Sequence, residues 1–246
     1  MSSQRVWDQI FSLNRLNGKG ARNFLNGQTT SDILIKSEGE FFLTCWLSRT
    51  GNVKALLEVK LDFTGAEFIV LAGGNEEIAI EFEKVIFPSD KVSIDANKFI
   101  RRLQIIDIPN INDSSKILWI EVNKEIPDLM KGIPKASKEE VEFWRLRKSL
   151  PLGRGEIDGT INPFELGLPE FVSLEKGCYL GQESIARLVR SGGERKKIIA
   201  WQSKFPISIG ESLNLEPNSF DNNKKVGSVT SAMKSNNTEF LGLALV

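Results

Sequence analysis

The sequence contains no histidine and only two cysteines, Cys45 and Cys178. The lack of histidine excludes the commonest general base, the Cys–His and Ser–His nucleophile pairs, and imidazole ligands for zinc. Two thiols are too few for an iron–sulfur site with four thiolates from one chain. We therefore expect no permanently bound metal, and we expect any contact with a metal or a cluster to be transient or to use ligands from a partner.

The chain also lacks an excess of charge and long apolar runs. Its 32 basic and 32 acidic residues cancel, so the net charge does not indicate binding to nucleic acid or to a membrane surface. A local basic patch is still compatible with a neutral total. The apolar runs are shorter than the about 20 residues that span a bilayer. The N-terminus resembles neither a signal peptide nor a transit peptide, and free cysteines suit a reducing compartment. We expect a soluble cytoplasmic protein without nucleic-acid or membrane partners.

The order of the predicted elements is typical of an α+β protein with a β-rich C-terminal part. A short helix around Ala21–Leu25 precedes strand-like runs at 40–48, 53–62 and 66–72, which predict an antiparallel meander. Helical spacing at 75–87 is followed by strand candidates at 90–95, 98–107 and 116–122. The capping-box pair Ser137 and Glu140 predicts another helix. The segment 149–176 is rich in Gly and Pro, and a loop of this length inside a compact protein is often functional. Short strands after residue 196 predict a small antiparallel barrel or sandwich.

Cys178 lies in the stretch KGCYLGQE, residues 176–183, just before a predicted amphipathic helix from Gln182 to Ser191. A helix N-terminus and the nearby Lys176 both favour a thiolate, which would make Cys178 nucleophilic or metal-seeking. The alternative is a buried cysteine that packs as a small apolar side chain. For Cys45, inside a strand-like run beside Trp46, the core interpretation is favoured.

The same stretch, followed by Ala186 and Arg187, resembles the signature of folate-binding proteins of the YgfZ type, relatives of the aminomethyltransferase (T protein) of the glycine cleavage system. Four further segments resemble family patterns in the same order: 20–32 (GARNFLNGQTTSD), 47–51 (LSRTG), 163–168 (PFELGL) and 225–231 (KVGSVTS). The resemblance implies three lobes around a central cavity, here assigned to residues 1–95 (an α+β folate-binding lobe interleaved with the next), 96–195 and 196–246 (an antiparallel β-barrel).

The resemblance also implies a function. Such proteins bind tetrahydrofolate or a derivative and serve in making or repairing iron–sulfur clusters in client enzymes, which in bacteria include radical tRNA-modifying ones. The chain departs from the T-protein pattern in two places, of which the first counts against ordinary aminomethyl transfer and the second implies rearranged or weaker pterin recognition. A pair of aspartates is expected after Gly51, whereas this chain has no carboxylate until Glu58, and the pterin-binding glutamate two residues after Arg145 is replaced by Arg147.

Three residues are candidates for holding the pterin of a folate. Phe11 and Trp144 are candidates for stacking, since both lie in segments that match family positions near the folate. Glu165 is a candidate for the pterin edge, where a carboxylate binds amino and ring N–H donors. In the alternative interpretation, the two aromatic residues belong to the core and Glu165 satisfies backbone groups in a tight loop.

Four other residues are candidates for the polar surroundings of the folate. Arg145 and Arg187 are suited to carboxylates, and the amides of Gln28 and Gln182, each after a glycine, are suited to a cavity wall. The arginines can equally form surface contacts or salt bridges, and Gln182 can simply begin its helix.

Three functions remain open from the sequence. The favoured one is a folate-binding accessory protein for iron–sulfur enzymes, with Cys178 as the key residue. The second is a folate-dependent aminomethyltransferase or another one-carbon transferase. The third is a binding module with a structural cysteine that acts through protein contacts alone.

Overall fold

The computed structural model describes residues 4–74, 78–108, 116–153, 155–192, 195–213, 227–235 and 238–246, except for the side chain of Asn97. Several predicted features therefore lie outside the described residues. These are the start of the second helix at 75–77, Gly193 at the predicted end of the last helix, and positions 225 and 226 of the C-terminal motif.

The larger sheet of the described residues has six antiparallel strands in the order β2-β3-β4-β1-β5-β6. They are β1 (Gln4–Asn17), β2 (Phe41–Leu47), β3 (Val53–Asp62), β4 (Gly65–Gly73), β5 (Ser93–Asp107) and β6 (Ile117–Ile120). The predicted meander is confirmed as β2, β3 and β4, each paired with the next in antiparallel register.

Strand β1 was not predicted, although it lies in the middle of this sheet between β4 and β5. Its buried positions do not follow strict alternation: the adjacent Val6 and Trp7 are both buried, in different apolar clusters, and the pairing with β5 shifts in register between Leu13 and Arg15. Such a bulge interrupts the period of two on which strand prediction depends.

Strand β5 unites the two runs that were predicted separately on either side of residue 96, and both halves pair with β1. It therefore crosses the predicted boundary between the first two lobes. That boundary stays a prediction.

The described α-helices are α1 (Ala21–Gln28), α2 (Ile78–Val85), α3 (Lys138–Arg147) and α4 (Gln182–Arg190). The capping box that begins α3 is confirmed, since the Ser137 hydroxyl accepts from the Glu140 N–H at 3.1 Å and the Glu140 carboxylate accepts from the Ser137 N–H at 2.8 Å. None of the helices among the described residues is both long and apolar enough to cross a membrane.

The two faces of the six-stranded sheet carry different cores. The first face, with Trp46, Leu57 and Phe68, packs against Phe24 of α1 and Phe82 of α2. The second face is covered by α3, by the Gly/Pro-rich segment and by the C-terminal strands, through apolar clusters whose members include Leu56, Leu166, Leu243, Phe11 and Trp144. The Gly/Pro-rich segment is therefore an ordered cover for the sheet.

The C-terminal strands form a four-stranded antiparallel sheet in the order β7-β10-β9-β8. The strands are β7 (Ile198–Ser203), β8 (Ser212–Leu213), β9 (Gly227–Lys234) and β10 (Phe240–Leu245). The predicted antiparallel β-structure is thus confirmed, and its closure into a barrel stays a prediction.

Candidate functional site

A cavity of about 560 Å³ lies on the second face of the six-stranded sheet, next to α3, and is called the tryptophan cavity below. Its volume is within the range of small-molecule sites, about 300–1,000 Å³. It is lined by Trp7, Leu43, Leu56, Glu58, Leu71, Arg102, Gln104, Ile117, Trp144, Lys148, Leu150, Leu152 and Glu170.

A buried ion pair forms the polar wall of the tryptophan cavity. Glu58 of β3 is 1% exposed and Arg102 of β5 is 3% exposed. The guanidinium donates two hydrogen bonds to the carboxylate, at 2.8 and 2.7 Å, and the Trp119 indole N–H donates a third at 2.8 Å. Strands β3 and β5 are separated by β4 and β1 in the sheet. Their side chains meet because the sheet curls, since a flat sheet would hold the two strands about 14 Å apart.

Two indole rings form the aromatic wall. The ring centroids of Trp7 and Trp144 are 6.0 Å apart. The Arg102 guanidinium lies 4.5 Å from the Trp7 centroid, and the Lys148 ammonium lies 5.0 Å from that of Trp144. The cavity therefore combines flat apolar surfaces with two cations.

Two buried donors on these walls lack an acceptor within the described part of the chain: Nη1 of Arg102 and Nε1 of Trp144. Leaving a buried donor without a partner costs about 1–3 kcal/mol. Both residues line the cavity, although the two nitrogens themselves are not exposed, and a flat ligand with hydrogen-bond acceptors would satisfy a donor that turns toward it. The arrangement is therefore suited to binding a planar polar molecule.

The buried side chain of Lys176 links the KGCYLGQE stretch to the end of α1 by hydrogen bonds. Its ammonium donates to the backbone carbonyls of Asn26 at 2.6 Å, Thr29 at 2.7 Å and Ser31 at 2.6 Å. A cation is favoured at a helix C-terminus because the helix dipole is negative there. Burial lowers the pKa of Lys176 to about 8, and the nearby Asp32 carboxylate opposes this change.

Two glycines bring the same stretch against the LSRTG segment. Gly181 has a φ of +83°, and a Cβ at this position would lie 2.6 Å from the Ser48 carbonyl oxygen. Gly51 has a φ of +82°, and its Cβ would lie 3.0 Å from the Cβ of Ser184. Three motifs that are far apart in the sequence, at 20–32, 47–51 and 176–183, therefore meet in space.

Cys178 is exposed, although Lys176 and Tyr179 on either side of it are buried. The packing alternative for this cysteine is therefore excluded, and its ionisation and reactivity stay predictions. Cys45 is fully buried, which confirms the core interpretation, and burial raises the pKa of its thiol to about 12. Within the described ranges, no group of three or more Cys, Asp or Glu side chains is arranged to hold a metal ion.

Of the predicted folate contacts, only Trp144 lines the tryptophan cavity. Phe11 is buried in the same apolar cluster as Trp7 and Trp144 but does not line the cavity. Arg147, which replaces the expected glutamate, is exposed and also does not line it.

Arg145 points into an internal polar cluster. Its guanidinium donates to Glu142 at 2.6 Å, to the fully buried Glu156 at 3.1 Å and to the Ser231 hydroxyl at 2.8 Å. These contacts join α3, the Gly/Pro-rich segment and β9. They favour the alternative interpretation, in which Arg145 forms internal salt bridges.

The other candidates lie elsewhere. Gln28 lines a different cavity on the first face of the sheet. The Glu165 carboxylate accepts from the Arg195 N–H at 3.2 Å. Gln182 begins α4 and donates to the Lys176 carbonyl at 3.4 Å. Arg187 is exposed and paired with Glu183 on the same helix at 3.0 Å. The structure does not bring these four residues together with Trp144.

Glu58, Arg102 and Trp7 were not predicted as site residues. The sequence carries a signal for the first two, because each is a charge among apolar residues of a strand, in LLEVKL and RRLQII. A charge at an inward position of a strand needs a partner of opposite sign. The pairing itself depends on the curl of the sheet, which the sequence does not reveal.

No protein-family model matches this chain. An uncharacterized protein of Haemophilus influenzae is 24% identical over 244 residues, which cover 91% of this chain and 82% of that protein. An aminomethyltransferase of Alkaliphilus oremlandii is 32% identical over 113 residues, or 42% of this chain. The match spans only 29% of that protein, and a match to a chloroplastic Arabidopsis thaliana protein named as a transferase spans 19% of its length.

The crystal structure of the glycine cleavage system aminomethyltransferase T from Bartonella henselae matches the whole chain. The TM-score is 0.77 at 15% sequence identity, and 78% of that protein is covered. This match confirms the predicted aminomethyltransferase-like α+β fold. At this identity, the match shows the fold alone.

Proposed function

We propose that this chain binds tetrahydrofolate or one of its derivatives in the tryptophan cavity and assists the assembly or repair of iron–sulfur clusters in client enzymes. The likeness in fold to an aminomethyltransferase supports folate binding in general. The YgfZ-type assignment, three lobes around the cavity, clients that include tRNA-modifying enzymes, and a cytoplasmic location without nucleic-acid or membrane partners belong to the same proposal.

The observation that carries the folate proposal is the pair of buried donors on the cavity walls, Arg102 Nη1 and Trp144 Nε1. A pterin has a carbonyl oxygen and ring nitrogens that accept hydrogen bonds, and its flat ring matches the indole walls. Lys148 at the cavity wall supplies a cation for the carboxylates of the glutamate tail. In this arrangement Glu58 holds the Arg102 guanidinium in place.

Calorimetric titration with a stable reduced folate tests this site. Trp144→Phe keeps an aromatic wall but removes the N–H donor, so we expect the affinity to fall about fivefold to tenfold. The matched control is Trp201→Phe, since Trp201 lies in the C-terminal sheet and donates to the Leu243 carbonyl. Absence of binding to the unaltered protein at high micromolar folate, or equal losses in both variants, would contradict the proposal.

The exposed thiol of Cys178 supports the iron–sulfur part of the proposal, because a reachable sulfur can form a transient bond to a cluster or a client. The test measures several iron–sulfur enzymes in a strain without this gene, complemented with variants. We expect Cys178→Ser to fail to restore their activity and Cys45→Ala to restore it. Full restoration by Cys178→Ser would remove this cysteine from the function.

A one-carbon transferase is the second candidate. Glu58, the first carboxylate after Gly51, lines the tryptophan cavity, and aminomethyltransferases are among the similar proteins. Three donors already occupy its oxygens, however, which suits a positioning role better than proton transfer. Formation of methylene- or methyl-tetrahydrofolate from glycine-derived or methylated donors would favour the transferase over the accessory protein.

A further inference from the structure

A second cavity, called the Lys54 cavity below, lies on the first face of the six-stranded sheet, opposite the tryptophan cavity. Its volume is about 480 Å³. Trp46 and Phe82 line it and belong to the core of the first face, whereas Leu56 of the tryptophan cavity belongs to the core of the second face. The two cavities are therefore separate sites on opposite sides of one sheet.

Two cations line the Lys54 cavity. The register between β2 and β3 shifts at Lys54. Trp46 pairs with Ala55 and Leu47 pairs with Val53, so Lys54 is the extra residue of a bulge. The ammonium of Lys54 lies 3.8 Å from the centroid of Trp46, on the first face. Arg49 is exposed in the turn between the same two strands.

Neither cation forms a salt bridge within the described residues, but Lys54 is near Glu81, because the Lys84 hydrogen bond and, to a smaller extent, the Lys54 charge lower the pKa of that carboxyl. The lining carboxylate, Glu81 of α2, is salt-bridged to Lys84 at 2.9 Å. The two cations therefore give this cavity a net positive wall. A half-buried lysine that forms no salt bridge favours a bound anion, although the Trp46 ring already stabilises part of its charge.

Another part of the lining is apolar. Trp46 and Phe82 are almost fully buried, and Val85 of α2 is 41% exposed at the edge of the cavity. Such a surface favours an apolar or aromatic body over a fully hydrated ion. The cavity thus offers a ligand both cationic and apolar contacts.

We propose that the Lys54 cavity is a second binding site, which takes a small organic anion with a carboxylate or phosphate group on an apolar body. The anionic group contacts Lys54 and the planar fork of Arg49. The apolar body lies against Trp46 and Val85. This site is independent of the proposed folate site, with which it shares no lining residue.

Nitrogen-15 NMR of the tryptophan side chains tests the proposal, because the chain has five tryptophans and their indole N–H signals can be assigned by Trp→Phe replacement. The probes are phenyl phosphate, 3-phenylpropionate and inorganic phosphate in separate millimolar titrations. We expect the Trp46 signal to shift and saturate with at least one of the two aromatic anions, and inorganic phosphate to bind more weakly. The response to each aromatic anion distinguishes a phosphate from a carboxylate ligand.

Lys54→Met removes the charge and keeps the apolar stem on Trp46, so we expect about tenfold weaker binding. The matched control is Lys60→Met, because Lys60 lies on the same strand, 5.5 Å from the Phe41 centroid, and does not line the cavity. Lys54→Arg should retain binding, and folate affinity should be unchanged in Lys54→Met. An unmoved Trp46 signal with every probe, or equal losses for Lys54→Met and Lys60→Met, would overturn the proposal.

Discussion

Arg102 and Lys176 are both buried cations, and the groups that compensate their charges differ. Arg102 forms a salt bridge with the carboxylate of Glu58, so an opposite charge compensates its own. Lys176 lies among neutral carbonyl oxygens at the end of α1 and in the loop that follows. The first arrangement shapes a cavity wall and the second joins two sequence motifs. Removing the Glu58 charge should therefore leave a buried cation without a counter-charge, whereas removing the Lys176 ammonium should leave carbonyl oxygens without a donor.

The largest effect is expected for Glu58→Gln, which leaves the Arg102 guanidinium buried without a counter-charge. Breaking one side of a buried ion pair typically costs about 3–5 kcal/mol. Urea denaturation should show a loss of this size in the free energy of unfolding. The double variant Glu58→Leu/Arg102→Met, which removes both charges, should be more stable than the single variant. A loss below about 1 kcal/mol for Glu58→Gln would show that Arg102 is compensated elsewhere.

Lys176→Met should cost less, because water can reach part of the vacated space. The residues on either side, Glu175 and Gly177, are exposed, but the carbonyls of Asn26, Thr29 and Ser31 would lose their donor. We expect a loss of about 2–4 kcal/mol in the free energy of unfolding. The exposed Lys196→Met is the control and should change stability by less than about 0.5 kcal/mol. Equal effects of both variants would contradict a fastening role for Lys176.

The contact between the motifs can also be broken from the glycine side. Gly181→Ala places a Cβ in the left-handed region and 2.6 Å from the Ser48 oxygen, so we expect a loss of about 1–3 kcal/mol. Gly177 is in the same stretch, lacks a positive φ and has open space around its Cβ position. Gly177→Ala is therefore the matched control, with an expected change within about 0.5 kcal/mol. A thermal-unfolding comparison in which the two alanine variants match would contradict the close approach.

The sequence predicted those parts of the fold whose signals are local. Strand-like runs and the turns between them predicted the β2–β4 meander, and Ser137 and Glu140 predicted the start of α3, because each signal depends on neighbours in the chain. The Lys176 contacts join residues up to 150 positions apart, and the Glu58–Arg102 pair needs a curled sheet. Neither follows from local periodicity. Strand β1 was missed because its buried residues, such as the adjacent Val6 and Trp7, do not alternate with exposed ones, and the bulge near Asn14 adds a further irregularity.

The candidate site was predicted less completely than the fold, for a related reason. Arginine, glutamate and tryptophan suit both a ligand pocket and an internal contact, and only packing decides between them. Arg145 entered an internal cluster with Glu156, whereas Arg102 came to line the tryptophan cavity. The exposure of Cys178 was likewise open, because a thiol is compatible with a core and with a surface.

The smallest expected effect is the dependence of stability on pH that Lys176 causes. Burial lowers the pKa of Lys176 to about 8, below the 10.5 of an ordinary lysine. Between these values the unfolded chain holds a proton that the folded chain has begun to release, so unfolding takes up a proton and the free energy of unfolding rises with pH. Below about pH 8 both states are protonated and the contribution is constant.

Denaturation curves at pH 8 and pH 9 should therefore show the unaltered protein gaining stability relative to Lys176→Met. The expected gain is about 0.5–1 kcal/mol, below the about 1.4 kcal/mol limit for one proton over one pH unit. The comparison with the variant is needed because Cys45, with its pKa raised to about 12, acts in the opposite direction once unfolded thiols ionise near pH 9. A relative loss of stability over this range would mean that the carbonyl oxygens hold the Lys176 ammonium more strongly than burial disfavours it.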